Sequence, residues 1–387
     1  MERIEIIGAG YIGLPLAAAF SCGHEVKVVE ADWKKLMELK EGAFHYEEKD
    51  VDALLQKNKE RIAYLSSPVA SDVFILAVQT PVSEEGDPDL SFLKKAIIGC
   101  APFLMEDSLL IIESTVPPGT CREIEDMLAS LKNGCRLAYC PETILPGHVM
   151  EELKSNPRVI GGDLEAARKA KEVYEGICSA RIDLVSFEEA ELVKLVENAK
   201  RDVDLAFANQ VAEIAEKSGV DPFDLIEKVN AHPRVHVLNP GSGVGGHCIA
   251  VDPLFLIKRF GQTASLLASA REVNDRKPLL VAQKATELCD KGEAIVVLGL
   301  SYKKDVGDLR NGSGIAIAHA LHTMGYETYG CEPNSKESII EGIKNLGIEE
   351  ALTRGNAFVI AQPHTAFFPF IKELKEKKTV DAVGMLR

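Results

Sequence analysis

The chain is poor in several things that would each have pointed to a class of protein. Its 387 residues hold no apolar run near the ~18 residues that a membrane-spanning helix needs. Neither a membrane protein nor an anchored one is expected. Paired CxxC spacing is missing: nine cysteines, an odd number, are scattered singly. That excludes a disulfide framework and a cysteine-ligated metal site, and it suits a reducing cytoplasm. Low-complexity segments are absent. Cations are short, 44 Lys and Arg against 59 Asp and Glu, for a net charge of -15. A nucleic-acid partner is excluded on that ground, because its phosphates would be repelled. A small phosphorylated ligand is not, since backbone amides bind anions on an acidic protein. The opening Met1-Glu2-Arg3-Ile4-Glu5 carries charge too often for a signal peptide.

What is present is a globular chain, 46% hydrophobic and long enough for two or three domains. Arg3–Ile7 is a short β-branched run meeting a glycine cluster, and Leu14–Phe20 is alanine-rich and helical. Strand patterns recur at His24–Glu30, Val73–Val78 and Leu109–Glu113, with helical stretches between, as in a doubly wound parallel sheet. From about Glu188 to Lys284 strand signals nearly vanish, and Glu188–Ser218 reads as one long helix of the kind that spans domains or forms a subunit interface. Strands return at Ala294–Gly299, Gly325–Glu332 and Ala357–Ala361. The expected fold is α/β: two Rossmann-like doubly wound parallel-sheet domains, residues 1–185 and 286–387, joined by an all-helical domain, 186–285.

Gly8-Ala9-Gly10-Tyr11-Ile12-Gly13 follows the first strand and opens the first helix, and Glu30 ends the next strand. In that context GxGxxG is the dinucleotide fingerprint. Gly8 allows the tight turn, Gly10 lets a pyrophosphate approach, and Gly13 permits close helix–strand packing. Glu30 would hold the adenine-ribose hydroxyls and repel a 2′-phosphate, favouring NAD over NADP. Lys34 and Lys35 close behind temper that preference. Thr80 and Thr115 end the second and third of the later strands, where such sheets bind ligands. They would touch cofactor or reactive water, or simply cap their strands.

Four glycines lead to one cysteine in Gly241-Ser242-Gly243-Val244-Gly245-Gly246-His247-Cys248, and Asp252 follows four residues on. If Cys248 opens a helix, the helix terminus would make its thiol reactive, with Asp252 on the same face. The plain alternative is an inert buried thiol. Glu191, Lys194 and Asn198 share a helix face and could cradle an oxyanion, or Lys194 could pair with Glu191 at the surface. Glu142 ends another strand, as a catalytic carboxylate or a surface acid. His232-Pro233-Arg234 is a rigid basic turn that would clamp an anion, or a plain loop.

Taken together these motifs resemble the UDP-glucose/GDP-mannose dehydrogenase family, nearly end to end. The resemblance rests on Gly8–Pro15, Ser114-Thr115-Val116-Pro117, Pro141-Glu142, Lys194 with Asn198, Gly245-Gly246-His247-Cys248 with Asp252, and Gly299–Lys303 with Asp308 and Arg310. His232-Pro233-Arg234-Val235 and the stretch after Gly246 look most like the members acting on UDP-N-acetylmannosamine. The resemblance implies a four-electron oxidation of a UDP-sugar primary alcohol with two NAD+. Cys248 would carry a thiohemiacetal and then a thioester. Lys194 and Asn198 would stabilise oxyanions, Asp252 would assist proton transfer, and Glu142 would be the base for hydrolysis with Thr115 holding the water. Gly8, Gly10, Tyr11, Ile12, Gly13, Glu30, Thr80, Thr115 and Arg310 would bind the cofactor. Glu142, Lys194, Asn198, Arg234, His236, Gly245, Tyr302 and Lys303 would contact the sugar nucleotide. A homodimer, or a higher homo-oligomer, through the central helices is implied too.

Three departures stand out. Pro146 occupies the place where UDP-glucose enzymes carry an acid, which fits the N-acetyl branch instead. Asn311-Gly312-Ser313-Gly314 replaces the usual Glu-Ser-Pro and should make that turn more flexible. Gln362-Pro363-His364 is unusual. Two-electron dehydrogenases of the 6-phosphogluconate or hydroxyisobutyrate type share the fingerprint and the Lys–Asn helix. They need neither the cysteine nor a second nucleotide fold. A catalytically silent sugar-nucleotide-binding protein is the reading outside enzymes.

Overall fold

The computed structural model describes residues 2–43, 49–83, 86–131, 134–144 and 148–387. Contacts divide the chain into two compact units, Met1–Val196 and Glu197–Arg387.

The first unit runs β1 (Arg3–Ile7), α1 (Gly13–Phe20), β2 (Glu25–Val29), α2 (Trp33–Lys40), α3 (Lys49–Lys57), β3 (Ile62–Leu65), β4 (Val73–Leu76), α4 (Ser91–Cys100), β5 (Leu109–Ile112), α5 (Thr120–Ser130), β6 (Arg136–Tyr139), α6 (Val149–Ser155), β7 (Arg158–Gly162), α7 (Leu164–Glu175) and β8 (Ile182–Val185). These strands form one sheet in the order β3-β2-β1-β4-β5-β6-β7-β8. The first six reproduce the dinucleotide-binding order. Val73–Leu76 and Leu109–Ile112 are buried at every residue, as strands covered on both faces must be. The sheet is not wholly parallel: β7 lies antiparallel to β6, while β8 follows β7 in parallel.

Helix starts in this unit follow side-chain chemistry. The Asp32 carboxylate accepts the Lys34 and Lys35 amides at α2, and Asp163 accepts those of Glu165 and Ala166 at α7. Each such cap stabilises by about 1 kcal/mol. Pro15 sits in the first turn of α1, where its missing N–H costs nothing.

A single helix, α8 (Phe187–Lys217), runs for 31 residues, as the pattern from Glu188 predicts. The boundary between the units falls within it. The second unit continues with α9 (Pro222–Asn230), α10 (Asp252–Phe260), α11 (Ser265–Thr286), β9 (Ala294–Leu298), α12 (Ser313–Thr323), β10 (Glu327–Cys331), β11 (Ile339–Ile340), β12 (Ile343–Asn345), α13 (Ile348–Arg354), β13 (Ala357–Ile360), α14 (Ile371–Glu376) and β14 (Lys378–Asp381). Among the described residues no strand intervenes between β8 and β9. The second sheet runs β11-β12-β10-β9-β13-β14, and only the β11–β12 pair is antiparallel. In its helical part, buried Arg271 of α11 pairs with Asp202 of α8 at 2.6 Å, and Asn274 donates to the same carboxylate at 2.8 Å. Among the described residues no helix is long and apolar enough to cross a membrane.

Candidate active site

In the first unit the β1–α1 turn has the fingerprint's geometry. Gly8 has φ +105°, and a Cβ on Gly13 would lie 1.8 Å from the Gly8 carbonyl oxygen, so helix and turn meet with no room for a side chain. At Gly10 a Cβ would meet nothing within 4 Å. Protein packing therefore explains two of the three glycines and not the third. Tyr11 and Ile12 are half-buried against the core, with Ile12 at the helix N-cap. Glu30 is half-buried after β2. One of its oxygens accepts the Asp32 amide at 2.9 Å and the other lies 3.6 Å from Lys35 Nζ, so the lysine foreseen as a complication is its ion pair. Thr80 donates its hydroxyl to the Thr115 carbonyl at 2.7 Å, which brings the two expected threonines together.

Glu142 follows β6 and is no surface acid, being 6% exposed. Arg158, the first residue of β7, donates to its Oε2 at 2.7 Å, and Oε1 accepts the Thr143 and Ile144 amides at 2.6 and 3.1 Å. Arg158 also lies 3.9 Å from Glu113, which accepts a hydrogen bond from the Tyr174 hydroxyl. Lys194 is buried, and the suggested pairing with Glu191 is not what the structure has. Both Glu191 oxygens accept amides at the start of α5, from Gly119 at 2.7 Å and Cys121 at 2.8 Å. Lys194 instead acts electrostatically on Glu113. Sequence reasoning gave Arg158 and Tyr174 no role. The signal for the first was a lone arginine opening an apolar strand, Arg158-Val159-Ile160.

In the second unit Cys248 does not open a helix. Its carbonyl accepts the amides of Val251 and Asp252 at 3.0 and 2.8 Å, forming a turn, and α10 starts at Asp252 with Pro253 in its first turn. Asp252 is buried, and Asn198 donates to its Oδ2 at 2.5 Å. The glycines ahead of the cysteine serve packing within the protein. A Cβ on Gly245 would lie 2.1 Å from the Asn311 carbonyl oxygen, and one on Gly246 would lie 3.0 Å from the Tyr302 ring. The Gly246 amide donates to the Arg310 carbonyl at 3.1 Å, and the Asn311 side chain returns a bond to the Gly246 carbonyl at 3.1 Å. The cysteine loop is thus laced to the 302–311 loop.

That lacing corrects the expectation for 311–314. Asn311 sits at φ +50°, and Gly312 and Gly314 pack with their Cβ positions 2.1 and 2.0 Å from backbone carbonyls, so the turn is held rather than loose. Arg310, expected at the cofactor, has its guanidinium on the Asp308 carboxylate at 2.6 to 3.1 Å. Burial would raise the Asp308 pKa, but the Arg310 bonds and charge outweigh it and hold the carboxyl below its ordinary value. Burial pushes the Tyr302 phenol up to about 12, helped by the charges of Asp308 and Cys248. Lys303 is half-buried, and His364 is buried between Glu332, 3.1 Å from its Nε2, and the Asp305 amide, 2.9 Å from its Nδ1. Arg234 and His236 lie in an exposed loop after α9, where the Arg234 amide donates to His232 Nδ1 at 3.3 Å. Pro146 lies outside the described residues. No group of three or more metal-ligating side chains occurs among the described residues.

Models of one family match three successive stretches: its NAD binding domain over residues 2–178, its central domain over 188–276 and its UDP binding domain over 296–387. The chain belongs to the UDP-glucose/GDP-mannose dehydrogenase family. It is therefore an NAD-dependent oxidoreductase acting on nucleotide-linked sugars. The chain is 39% identical over 380 residues to a UDP-N-acetyl-D-mannosamine dehydrogenase of Methanocaldococcus jannaschii, covering 96% of this chain and 88% of the relative. It is 35% identical to an NDP-N-acetyl-D-galactosaminuronic acid dehydrogenase of Ralstonia nicotianae, covering 99% and 96%. A solved UDP-D-ManNAc dehydrogenase of Pyrococcus horikoshii superposes with a TM-score of 0.92 at 32% identity, covering 100% of this chain and 96% of that one.

Proposed function

We propose that this protein oxidises the primary alcohol of UDP-N-acetylmannosamine to the carboxylate of the uronic acid. The observation that carries the choice of sugar is the 39% identity, across 96% of the chain, to a relative of that activity. NAD+, when bound, supplies the hydride acceptor at each of two oxidations. The β1–α1 turn of Gly8, Gly10 and Gly13 fits its pyrophosphate, Tyr11 and Ile12 flank it, and Glu30 fits the ribose hydroxyls. Thr80 and Arg310 complete the cofactor contacts.

The remaining work falls to side chains. Cys248 adds as thiolate to the aldehyde carbon to give a thiohemiacetal, oxidation yields a thioester, and water releases the acid and restores the thiol. Lys194 and Asn198 stabilise the oxyanions. Asp252, tied to Asn198 by its hydrogen bond, fixes that amide and assists proton transfer. Glu142 takes the proton of the attacking water, which Thr115 holds. Arg234, His236, Gly245, Tyr302 and Lys303 recognise the sugar nucleotide. We further propose a dinucleotide domain at 1–185, a helical domain at 186–285 and a UDP-sugar domain at 286–387. The protein would work in the cytoplasm as a homodimer, or a higher homo-oligomer, through its central helices.

The 35% identity to an NDP-N-acetyl-D-galactosaminuronic acid dehydrogenase favours a second reading, the same chemistry on the N-acetylgalactosamine sugar. The test is absorbance of reduced nicotinamide with UDP-N-acetylmannosamine, UDP-N-acetylgalactosamine, UDP-N-acetylglucosamine and UDP-glucose, each run to completion. Two equivalents of NADH from the mannosamine sugar alone are expected. Two from another sugar reassign the substrate, one equivalent replaces the thioester route with a single oxidation, and none overturns the assignment to all four sugars.

A further inference from the structure

The carboxyl ends of β5 and β6 hold more buried charge than one hydrolytic base requires. Glu113, Glu142 and Arg158 are 2%, 6% and 4% exposed. Two carboxyl groups therefore face one guanidinium away from water. Their situations differ. Glu142 is fully engaged, by Arg158 Nη2 at 2.7 Å and by two backbone amides. Glu113 is not: Arg158 Nη1 stands 3.9 Å from its Oε1, close enough to attract but too far for a hydrogen bond. That oxygen accepts the Tyr174 hydroxyl, and Oε2 has no hydrogen-bond partner among the described residues.

A buried, half-satisfied carboxylate is costly, and taking up a proton relieves it. Burial first, and the negative charge of Glu142 second, raise the Glu113 pKa well above the ordinary carboxylate range. Arg158, the Tyr174 hydrogen bond and Lys194 pull the other way. The Cys140 thiol, 3.9 Å from Arg158, is pushed up by burial and stays neutral. Arg158 also lies over the Tyr174 ring, 5.1 Å from its centroid, so guanidinium, phenol and both acids form one packed cluster.

We propose that Glu113 is a positioning residue that competes with Glu142 for Arg158, so that its own proton sets how basic Glu142 is. The inference rests on Glu142 being the base for hydrolysis. While Glu113 holds its proton, the Arg158 charge serves Glu142 alone. Once Glu113 ionises, two negative charges share one guanidinium and the affinity of Glu142 for a proton rises. In the hydrolytic step water gives one proton to Glu142 as its oxygen bonds to the acyl carbon. The carbon–sulfur bond breaks, the thiolate leaves, and the proton then passes to solvent. No other reactant is needed.

The experiment measures thioester hydrolysis from about pH 6 to about pH 10, by acid quench of protein-bound sugar during turnover of the intact enzyme. The wild-type rate should climb about tenfold as Glu113 ionises, the effect of raising the basicity of Glu142. Glu113→Gln keeps an acceptor for Tyr174 but cannot ionise. It should stay near the low-pH rate, with unchanged NAD affinity. Tyr174→Phe removes a hydrogen bond that favours the ionised form, so the climb should move to higher pH by about one unit. A Glu113→Gln profile superposable on the wild type overturns the inference, as does an unmoved midpoint in Tyr174→Phe. The second variant decides if the first does not fold. Glu142→Gln separates the levels. If it hydrolyses at the wild-type rate, the base assignment fails and takes this inference with it. If it stalls while Glu113→Gln keeps the wild-type profile, only the inference fails.

Discussion

The two nucleotide folds of this chain share one joint and use it differently. In both, the central strand ends at a glycine in the left-handed region, Gly8 at φ +105° and Gly299 at +85°. In both, that glycine's amide bonds the last residue of the neighbouring strand at 2.9 Å, Val29 in one and Cys331 in the other. In both, a glycine of the following helix fits against the turn, Gly13 with its Cβ position 1.8 Å from the Gly8 oxygen and Gly314 at 2.0 Å from the Gly299 oxygen. An acid follows the neighbouring strand each time, Glu30 or Glu332. The difference lies in between. Four residues lie between Gly8 and Gly13, and the middle glycine faces open space. In the second fold the connection is longer and carries Tyr302, Lys303, Asp308 and Arg310. Glu332 folds inward to accept the Leu300 and Ser301 amides at 2.8 and 2.9 Å. The protein's own carboxylate occupies the amides of this turn, whereas Glu30 accepts the Asp32 amide behind its own strand. The joint itself is therefore neutral as to ligand, and what fills its amides decides the role.

If the folds divide labour this way, chemistry and cofactor binding should separate by mutation, and this is the largest effect expected. Cys248→Ala should lower uronate formation by about a thousandfold or more, since a covalent step is lost, while leaving NAD affinity unchanged. Gly10→Val should do the reverse: about a hundredfold weaker NAD binding by calorimetry, with the thiol still alkylated at its normal rate. A Gly10→Val protein that binds NAD normally breaks the comparison, and a Cys248→Ala protein that turns over near normally removes the covalent step.

How much of this the sequence discloses follows the physics of each element. The fingerprint and the 31-residue helix are local patterns, and both are legible at Gly8–Gly13 and from Glu188 onward. Residue pairs distant in sequence are not. Nothing near Glu332 says that its carboxylate turns onto Leu300 and Ser301, 32 and 31 residues earlier. Nothing near Arg158 says that it serves Glu142. Nothing around the glycines before Cys248 names what they pack against. They answer to the Tyr302 ring and the Asn311 carbonyl, partners that only the folded chain brings close. One miss was avoidable: Pro253 favours the first turn of a helix, so α10 had to begin near Asp252 and not at Cys248.

A smaller effect tests the shared joint. Gly13→Ala and Gly314→Ala each push a methyl into a backbone carbonyl, which has no flexible end to yield. Each should destabilise by about 3 kcal/mol, as overpacking does. Gly10→Ala, with nothing near its Cβ, should cost under about 0.5 kcal/mol. Thermal unfolding of the three variants orders them. Equal melting temperatures for Gly13→Ala and Gly10→Ala would mean that the turn relaxes and the likeness of the two joints has no energetic content.

The smallest effect concerns the acid that distinguishes the folds. Burial raises the Glu332 pKa, but the His364 hydrogen bond and the amides of the turn more than offset it, leaving the carboxyl below its usual 4.5. His364 Nδ1 accepts from the Asp305 amide, so Nε2 carries the proton and donates to Glu332. A group whose pKa is depressed by folding stabilises above its unfolded value, and the contribution fades as pH falls through the folded one. Glu332→Gln should therefore cost about 2 kcal/mol near neutral pH, the usual scale for hydrogen bonds to a charged acceptor. The gap to the wild type should narrow as pH falls below the ordinary carboxylate value and close once it passes the depressed folded one, as Glu332 itself becomes neutral. Glu30→Gln, half-buried with one amide and one lysine partner, should leave stability nearly unchanged and weaken NAD binding instead. A Glu332→Gln deficit that persists undiminished in acid would assign the residue a packing role independent of its charge, and the two acids would then differ in burial rather than in what they bind.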